Sequence, residues 1–418
     1  MPKYQAQRGT KDILPADAHQ WRHLAGVFQG IVEGFGYGEI RTPMFEDVDL
    51  FVRSSGETSD IVMKEMYDFH DKGDRHIALK PEGTAPAMRA YLEHSLGQPG
   101  QVTRLWYFTP IFRYGRPQLG RLRQAHQVGL ELIGSTSPQA DAEVIEITTM
   151  FYRLLGLSDT TVLLNSIGRL TARGKYQESL LGFLSSWLSE QSSEEQAKVN
   201  KNPLSVLDTK DEALKAMLVD APLIADFLED ESRAHFAEVQ RLLSDAGVNF
   251  VVDPQIVRGL DYYTDTVFEV QTSKLGAQSS LCGGGRYDNL IHEMGGPNTP
   301  SVGVAMGVER ALLVLDQEGL QPEPKRPDVF IVAAGERESA EAASLARRLR
   351  EQGFVALRDI DGKGFKQQFK QADRAQAKFA VVIGEDELNG GYLTVKNLAD
   401  GTQARHSDAE LVHALRLG

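Results

Sequence analysis

Residues 104–134, RLWYFTPIFRYGRPQLGRLRQAHQVGLELIG, decide the fold class. Apolar and aromatic residues fill positions 104–113 and again 127–134, and a stretch with proline and glycine separates them, which is typical of two strands joined by a loop. Antiparallel strands can be joined by a short loop, whereas parallel strands need a long crossover. This segment therefore predicts an antiparallel hairpin.

The sequence on either side extends the hairpin into a sheet. Further strand-like segments lie at 39–45, 267–271 and 301–306, and they follow one another through loops more often than through helices. Residues 17–33 carry apolar side chains at helical spacing and predict one amphipathic helix. We therefore expect an α+β domain with a mainly antiparallel sheet and flanking helices, not a doubly wound Rossmann sheet.

A separate domain is predicted at the carboxyl end. Residues 319–327, GLQPEPKRP, are rich in helix and strand breakers and are typical of a linker. Strand-like segments at 328–334, 354–358 and 378–384 then alternate with helical ones. This order predicts a small α/β domain over 328–418 with a largely parallel sheet.

Composition excludes several classes of protein. The 418 residues carry a net charge of −13 and a single cysteine, Cys282, so neither an intramolecular disulfide nor a cysteine-based zinc site is expected. No run of about 18 apolar residues occurs, and the first residues, MPKYQAQRGTKDILP, lack the apolar stretch of a secretory signal. The ten histidines form no metal-ligand pattern. We expect a cytoplasmic protein without a membrane span or a protein-bound metal.

Charge is distributed unevenly along the chain. Residues 94–130 contain no acid, yet they hold Arg104, Arg113, Arg116, Arg121 and Arg123. Guanidinium groups gathered around a hairpin loop can clamp a polyphosphate, so this region predicts anion binding; an exposed loop kept soluble by arginine is the alternative. Residues 186–247 have a net charge of −7 and predict a helical module, whereas residues 325–418 have a net charge of +1.

Four other motifs contain residues suited to chemistry. Two glycine clusters, CGGGRYDNL (282–290) and SVGVAMGVER (301–310), do not match the Walker pattern, and Gly303 and Gly307 serve either a ligand or close packing of a helix on the sheet. In LKPEGTAP (79–86), Glu82 and Thr84 either bind an ammonium group or cap a helix. The two tyrosines of RGLDYYTDTVFEV (258–270) do not indicate a function from their composition alone.

Together these motifs resemble the histidyl-tRNA synthetase family of class II aminoacyl-tRNA synthetases. TPMFED around Pro43 and the stretches 112–127 and 303–315 are similar to the three motifs of the class. RGLDYYT at Arg258 and GGGRYDNL at Gly283 are similar to two peptides peculiar to this family. The resemblance covers essentially the whole chain.

The resemblance implies a fold, an activity and partners. It implies a class II catalytic domain over 1–320 with a helical insertion at about 168–246, followed by an anticodon-binding domain over 328–418. The implied activity is ATP-dependent activation of L-histidine to histidyl-adenylate and transfer to the 3′ end of tRNA(His). Mg²⁺ would be carried with the ATP phosphates, and the implied assembly is a homodimer.

The resemblance also implies roles for individual residues. Arg113 and Arg258 would be catalytic. The residues implied to bind ATP are Arg113, Arg116, Arg121 and Arg310. The residues implied to bind histidine are Glu82, Gly83, Thr84, Gln127, Glu131, Arg258, Tyr262 and Tyr263. One departure stands out, because the class pattern usually has an acid two residues after the arginine of the second motif, and here that position is Gly115.

The tRNA contacts and the alternative function rest on weaker patterns. Lys363, Lys366, Lys370 and Arg374 are spaced by 3, 4 and 4 residues, which predicts one basic helical face with Phe365 and Phe369 opposite; this face either follows tRNA phosphates or is merely solvated. The alternative function is a non-catalytic, synthetase-like regulatory subunit of ATP phosphoribosyltransferase. That alternative is disfavoured because the carboxyl-terminal domain and the arginines at 113, 258 and 310 are present.

Overall fold

Two units with separate sheets divide the chain, one over Met1–Pro322 and the other over Glu323–Gly418. The computed structural model describes residues 4–56, 59, 61–98, 100–209, 211–257, 262–278 and 280–417. The division between the units falls within the stretch 319–327. Among the described residues, no helix combines the length and apolar character needed to cross a membrane.

The first unit contains α1–α10 and β1–β11 within its described residues. The helices are α1 (Ala18–Gly34), α2 (Val48–Ser55), α3 (Thr84–Glu93), α4 (Pro138–Leu154), α5 (Leu170–Ser189), α6 (Ser193–Lys201), α7 (Glu212–Leu218), α8 (Asp230–Asp245), α9 (Leu290–Glu293) and α10 (Val308–Gln317). The strands are β1 (Gly38–Glu39), β2 (Phe45–Asp47), β3 (Tyr67–His70), β4 (His76–Leu79), β5 (Thr103–Phe112), β6 (Gln124–Ile133), β7 (Thr161–Ser166), β8 (Phe250–Val252), β9 (Thr264–Gln271), β10 (Ser280–Arg286) and β11 (Ser301–Gly307).

The main sheet confirms the predicted mainly antiparallel arrangement. In the described part of the chain it has eight strands in the order β1-β5-β6-β11-β10-β9-β7-β8. Pairing is antiparallel from β5 through β7, and only the edge strands β1 and β8 pair in parallel with their neighbours. Strands β5 and β6 form the predicted hairpin, whose register runs from Thr103 opposite Ile133 to Phe112 opposite Gln124. Its loop contains Arg113, Arg116, Arg121 and Arg123, whereas Arg104 lies on β5 and pairs with Glu143.

Local sequence explains where the flanking helices lie. The helix predicted over 17–33 forms as α1, which buries Leu24, Phe28 and Val32 in the core of the unit. Helix α4 begins after Ser137, whose hydroxyl accepts a hydrogen bond from the backbone N–H of Gln139 at 3.3 Å, and proline at its first position suits a helix start. Helices α1 and α4 pack together against the main sheet.

One strand prediction in this unit was wrong in extent, and one strand was not predicted. The strand expected over 39–45 is split between β1 and β2, because Pro43 lies between them and has no backbone N–H for a sheet. The glycine-rich stretch 282–286, which was not predicted to be a strand, forms most of β10 at the middle of the sheet. A Cβ atom at Gly285 would lie 2.5 Å from the carbonyl oxygen of Thr266, so this strand fits there because it lacks a side chain.

A small sheet and a helical segment complete the unit. Strands β2, β4 and β3 pair antiparallel in that order, and α3 follows β4 after a short turn. Helices α5–α8 succeed one another without a strand among the described residues between β7 and β8. Leu180, Leu184, Leu214 and Leu218 from α5 and α7 bury their side chains in a second core cluster.

The second unit is α/β, but its sheet is mixed and not largely parallel as predicted. Its described elements are β12 (Val329–Ala333), α11 (Glu336–Glu351), β13 (Ala356–Arg358), α12 (Phe365–Arg374), β14 (Phe379–Ile383), α13 (Glu385–Gly390), β15 (Leu393–Asn397), β16 (Gln403–His406) and α14 (Asp408–Leu417).

Within the described residues the strand order is β13-β12-β14-β15-β16. Strands β13, β12 and β14 are parallel, whereas β15 and β16 form an antiparallel hairpin. This hairpin was not predicted from the sequence, although Asp400-Gly401 between its strands is a turn signal.

Candidate active site

A cavity of about 1010 Å³ opens on the main sheet beside the β5–β6 hairpin. Strands β6, β10 and β11 form its floor, and the start of α3, the hairpin loop and the beginning of α10 contribute further wall residues. Lys198, Lys201 and Asn202, at the end of α6, also reach it. The cavity therefore brings segments together that are far apart in the sequence.

Three of the predicted arginines meet in the cavity wall. Arg113 directly follows β5, and its Nε donates a hydrogen bond to the carbonyl oxygen of Pro81 at 2.7 Å. Arg121 forms an ion pair with Glu65. Arg310, in the first turn of α10, donates from Nη1 to the carbonyl oxygen of Ser280 at 2.6 Å. Burial lowers the pKa of Arg113 from its usual value, although a guanidinium stays charged at any physiological pH.

The other two predicted arginines do not belong to this described wall. Arg116 lies in the hairpin loop, is exposed and is not among the cavity residues. Arg258 lies outside the described residues, so its position is not assigned. The arginines of the cavity wall are therefore, in the described chain, one after β5, one in the loop and one on α10.

Glu82 caps a helix, one of the two interpretations that the sequence left open, and it also faces the cavity. Its Oε1 accepts a hydrogen bond from the backbone N–H of Ala85 at 2.8 Å and its Oε2 accepts one from that of Thr84 at 2.5 Å, so it caps α3. Glu82 and Thr84 also line the cavity. Burial raises the pKa of Glu82, while the two N–H donors lower it. The wall thus has a fixed carboxyl group near Arg113.

Gln127 of β6 presents a hydrogen-bond acceptor to the cavity. It lies on β6 and lines the cavity, and its Oε1 is buried without a hydrogen-bond partner among the described residues. An unpaired buried amide oxygen is costly, so such a group in a cavity wall is suited to receive a donor from a ligand. Glu82, Thr84 and Gln127 can together surround an ammonium group.

Tyrosine rings close one end of the cavity. Tyr262 and Tyr263 are buried, line the cavity and lie with ring centroids 4.7 Å apart. Arg173 donates from Nη1 to the backbone carbonyl of Tyr263 at 2.9 Å, which ties this peptide to α5. The two rings are tilted by 46° to each other, and they supply aromatic surface to this end of the cavity.

Glu131 lies behind this wall and not in it. It is fully buried on β6, and its two carboxylate oxygens accept hydrogen bonds from the Tyr107 hydroxyl at 3.0 Å and from the Tyr287 hydroxyl. Burial raises the pKa of Glu131 to about 8, against the effect of the hydroxyl donors. Gly83, also predicted to be a site residue, packs against the ring of Tyr107.

Sequence reasoning missed several residues of this region. Glu65, which holds Arg121, lies on a short π-helix over Ile61–Glu65 that no motif indicated. His126 and Glu309 line the cavity, and Nδ1 of His126 lies 2.9 Å from Oε1 of Glu309. Tyr287 belongs to GGGRYDNL, so the motif contained the signal.

The arginine of GGGRYDNL has a different environment. Arg286 is buried away from the cavity and forms an ion pair with buried Asp141 of α4, and it donates from Nη1 to the carbonyl oxygen of Ser135 at 2.7 Å. Nε2 of His235 lies 3.3 Å from the same carboxylate of Asp141. Asp141 has a lowered pKa because the nearby cations outweigh its burial. This part of the motif joins β10 to α4 and α8.

The predicted basic face of the second unit differs from expectation in one respect. Helix α12 begins at Phe365, so Lys363 precedes the helix, where its Nζ pairs with Asp361 at 2.8 Å. Lys366, Lys370 and Arg374 lie on α12 and are exposed. Phe369 packs against a core cluster, whereas Phe365 is partly exposed. Three of the four bases therefore share the helix.

Known proteins resemble both units. A family model described as histidyl-tRNA synthetase matches residues 9–311, and one described as anticodon binding domain matches residues 328–417. A protein named histidine–tRNA ligase from Cyanothece sp. is 45% identical over 412 residues, which cover 99% of this chain and 96% of the relative. The crystal structure of apo S. aureus histidyl-tRNA synthetase, 37% identical, superposes with a TM-score of 0.84 and covers 99% of this chain and 100% of its own.

A more distant structure shares the fold alone. It is described as an ATP phosphoribosyltransferase regulatory subunit/histidyl-tRNA synthetase from Bacillus halodurans C, and it is 22% identical with a TM-score of 0.66, covering 92% of this chain and 98% of its own. At that identity the likeness does not distinguish a synthetase from a regulatory subunit. The choice between them rests on the closer relatives and on the cavity.

Proposed function

Because this chain belongs to the histidyl-tRNA synthetase family, we propose that it activates L-histidine with ATP and transfers the histidyl group to the 3′ end of tRNA(His). The observation that carries the proposal is the composition of one cavity wall. Three arginines, a helix-capping carboxylate and an unpaired amide oxygen line the same 1010 Å³ space. ATP and an amino acid together need such a combination of cationic and acceptor groups.

The arginines suit the chemistry of the first step. A carboxylate oxygen of histidine attacks the α-phosphorus of ATP, the bond to the bridging oxygen breaks, and pyrophosphate leaves. Both reactants are anionic, so cation clamps and positioning supply most of the catalysis, and no general base is needed for a carboxylate that is already ionised. We assign Arg113 to the catalytic centre and Arg113, Arg121, Arg310 and the loop residue Arg116 to the phosphates. Mg²⁺ arrives with the ATP phosphates.

Arg121 must change partners when ATP binds. It is paired with Glu65, which lines the same cavity. Phosphate and carboxylate oxygens both accept bidentate hydrogen bonds from a guanidinium, so an ATP phosphate can replace Glu65 as the partner of this side chain. Gly115 stands where the class pattern has an acid, so we assign recognition of the adenine edge to backbone groups.

The histidine substrate is assigned to the other side of the cavity. Glu82, Gly83, Thr84 and Gln127 are proposed to hold the α-amino group, which is supported by the buried Oε1 of Gln127 and by the carboxylate of Glu82. Tyr262 and Tyr263 are proposed to contact the imidazole ring, with Glu131 as the acceptor for its N–H. Arg258 is assigned to the α-phosphate and the substrate carboxylate on the family resemblance alone.

The remaining parts of the chain are assigned to tRNA and to assembly. We propose that residues 328–418 bind the anticodon, with Lys363, Lys366, Lys370 and Arg374 near phosphates, and that residues 168–246 form an inserted helical domain. A homodimer is supported by exposed apolar side chains on the small sheet. Met44 beside β2 is 40% exposed, Phe45 in β2 is 56% exposed, and Phe69 lies on β3 of the same sheet. Exposed apolar side chains on one sheet are typical of an interface.

The regulatory-subunit alternative accounts for less. A regulatory subunit needs neither an anticodon-binding domain nor three arginines in one cavity wall. The match over residues 328–417 supports such a domain in this chain, and three arginines line the cavity. The test is amino-acid-dependent exchange of pyrophosphate into ATP. We expect exchange with L-histidine and not with the other amino acids, followed by charging of tRNA(His). A purified, folded chain that gives no histidine-dependent exchange would refute the proposed function.

A further inference from the structure

Two tyrosines without an assigned role enclose the carboxylate of Glu131. Tyr107 lies on β5 opposite Gly129, and its hydroxyl donates to Oε1 of Glu131 at 3.0 Å. Tyr287 follows β10, and its hydroxyl donates to Oε2 of the same carboxylate. All three side chains are buried, so each carboxylate oxygen has one phenol donor from a different part of the chain.

Glycines provide the space for this arrangement. A Cβ atom at Gly83 or at Gly129 would overlap the ring of Tyr107, and a Cβ atom at Gly303 would overlap the Glu131 carboxylate and the Tyr287 hydroxyl. These three glycines come from the turn before α3, from β6 and from β11. Because they have no side chain, the two tyrosine rings can reach Glu131.

Tyr287 lines the cavity directly, and Tyr107 contacts it through Thr84. Tyr287 and Gly303 are wall residues, while Glu131 lies directly beneath them. The Tyr107 hydroxyl is 3.4 Å from Oγ1 of Thr84, a wall residue at the start of α3. The hydroxyl pair thus connects the hidden carboxylate with the end of the cavity assigned to the amino acid.

We propose that Tyr107 and Tyr287 are positioning residues that orient the carboxyl group of Glu131 and favour its ionised form, and thereby set recognition of the substrate imidazole. The inference rests on the proposed function. A buried carboxylate is expensive unless hydrogen bonds compensate its charge, and the two phenols supply those bonds. An ionised, oriented Glu131 accepts the N–H of a neutral imidazole, whereas a protonated one offers a donor in its place.

The charged and titratable groups around Glu131 make the ionisation sensitive to these hydroxyls. The residues that face it from the surrounding elements are Tyr37, Glu82, Thr84, Tyr107, Tyr262 and Tyr287. Burial and the nearby acid Glu82 raise the pKa of Glu131, whereas the hydroxyls of Tyr287, Thr84 and Tyr107 lower it. Removal of either hydroxyl therefore shifts Glu131 toward its protonated form.

The test uses the full chain and the variants Tyr107→Phe, Tyr287→Phe and Glu131→Gln. Tyr176→Phe is the matched control, because Tyr176 is a buried tyrosine of α5 that is not a wall residue. We expect the KM for histidine in pyrophosphate exchange to rise roughly tenfold near pH 7 in each Tyr→Phe variant of the pair, with the KM for ATP unchanged. Tyr176→Phe is expected to match the unmodified chain.

A pH series separates positioning from a structural role. The ratio of variant to unmodified KM for histidine, measured from pH 6.5 to 9, cancels the titration of the imidazole itself. Removing a donor is expected to raise the pKa of Glu131 by about one pH unit. The ratio of the KM values should therefore fall toward 1 as the pH rises. In the Glu131→Gln background, Tyr287→Phe is expected to add little further loss, because the group that it positions is gone.

Two results would overturn the inference. One is a chain that exchanges with histidine while Tyr107→Phe and Tyr287→Phe both behave like Tyr176→Phe. The other is a loss that is the same at every pH and remains in full on the Glu131→Gln background. Absence of any exchange in the unmodified chain would instead count against the proposed function. Unfolding midpoints of all variants identify any that lose activity through misfolding.

Discussion

Lys80 places a titratable ammonium in the interior of the first unit. It is fully buried, and its Nζ donates to the backbone carbonyl of Thr42 at 3.2 Å and to the Thr42 hydroxyl at 3.0 Å. Burial lowers the pKa of Lys80 to about 8, with Glu46 and Glu82 opposing the shift and Arg89 adding to it. The side chain ties the stretch around Pro43 to the strand end that precedes Glu82.

This burial predicts a pH dependence of stability. Below pH 8 Lys80 is protonated in both the folded and the unfolded chain, so no proton is exchanged on unfolding. Between pH 8 and about 10.5 the unfolded chain binds the proton and the folded chain does not, so the free energy of unfolding contributed by Lys80 rises with pH. The unfolding free energy of the unmodified chain minus that of Lys80→Met is expected to increase by up to roughly 3 kcal/mol over that range.

Urea denaturation of both proteins at several pH values from 7.5 to 10 measures this difference. Other groups titrate in both proteins and cancel. A difference that stays constant across the range would show that Lys80 keeps an ordinary pKa. Lys80→Arg serves as the control, because a guanidinium does not titrate there and its own difference from the methionine variant should stay flat.

Arg258 carries the sharpest prediction about a single catalytic group. If it stabilises charge on the α-phosphate in the transition state, Arg258→Ala should lower histidine-dependent pyrophosphate exchange by about 10²-fold or more without unfolding the chain. Lysine should restore little of this, since it lacks the planar guanidinium. Near-normal exchange in the alanine variant would assign the role elsewhere.

Single residues also show where prediction from sequence reached its limit. Glu82, Thr84, Gln127, Arg113 and Arg310 meet in one cavity, and each lies in a motif that the sequence displays. Burial of Glu131 could not be predicted in the same way, because it depends on Gly303 of β11 and on Tyr287 after β10. Contacts made by residues 150 or more positions apart leave no local pattern.

At the scale of elements, periodicity was sufficient for α1, β5 and β6 but not for β10. The first three follow a hydrophobic pattern within one segment. Strand β10 contains Gly283, Gly284 and Gly285, which local preferences would exclude from a strand. Gly284 and Gly285 are accommodated because the neighbouring strands approach so closely that a side chain would collide. The decisive property is therefore tertiary.

Helix α12 gives a prediction for an element as a whole. Lys366, Lys370 and Arg374 are exposed along it, and Lys363 stands just before it. If this face follows phosphates, replacing all four with glutamine should weaken tRNA(His) binding and flatten its dependence on salt, by nearly one unit of slope for each phosphate that is no longer neutralised. Binding measured from 50 to 200 mM salt tests this. An unaltered slope would mean that the face is merely solvated.

The matched control for that experiment lies on the neighbouring helix. Arg337 and Arg347 of α11 are bases of the same unit outside the proposed face. Replacing them changes the net charge of the unit in the same direction. If the control weakens binding as much per charge as the α12 variant does, the effect is one of overall charge and not of a specific face.

At the scale of the whole molecule, the two units have separate cores and different charge. Val329, Ile331, Leu345 and Val381 belong to a cluster confined to the second unit, and the clusters of the first unit contain only its own residues. Residues 325–418 carry a net charge of +1, while the rest of the chain carries −14. An acidic first unit is unfavourable for general contact with nucleic acid, so a distinct unit with balanced charge has a reason to carry the tRNA contact.

This division predicts that the two steps of the proposed reaction separate when the chain is cut. A chain that ends near Lys325 retains every described residue of the cavity wall and should keep histidine-dependent pyrophosphate exchange within a few-fold. It should lose most charging of tRNA(His), because the proposed anticodon contacts are gone while the chemistry at the 3′ end is intact. Exchange and charging are measured on the same preparations, with circular dichroism and the oligomeric state as controls for folding. Unchanged charging would remove the second unit from tRNA recognition, whereas loss of exchange in a folded chain would mean that the cavity needs the second unit for its own structure.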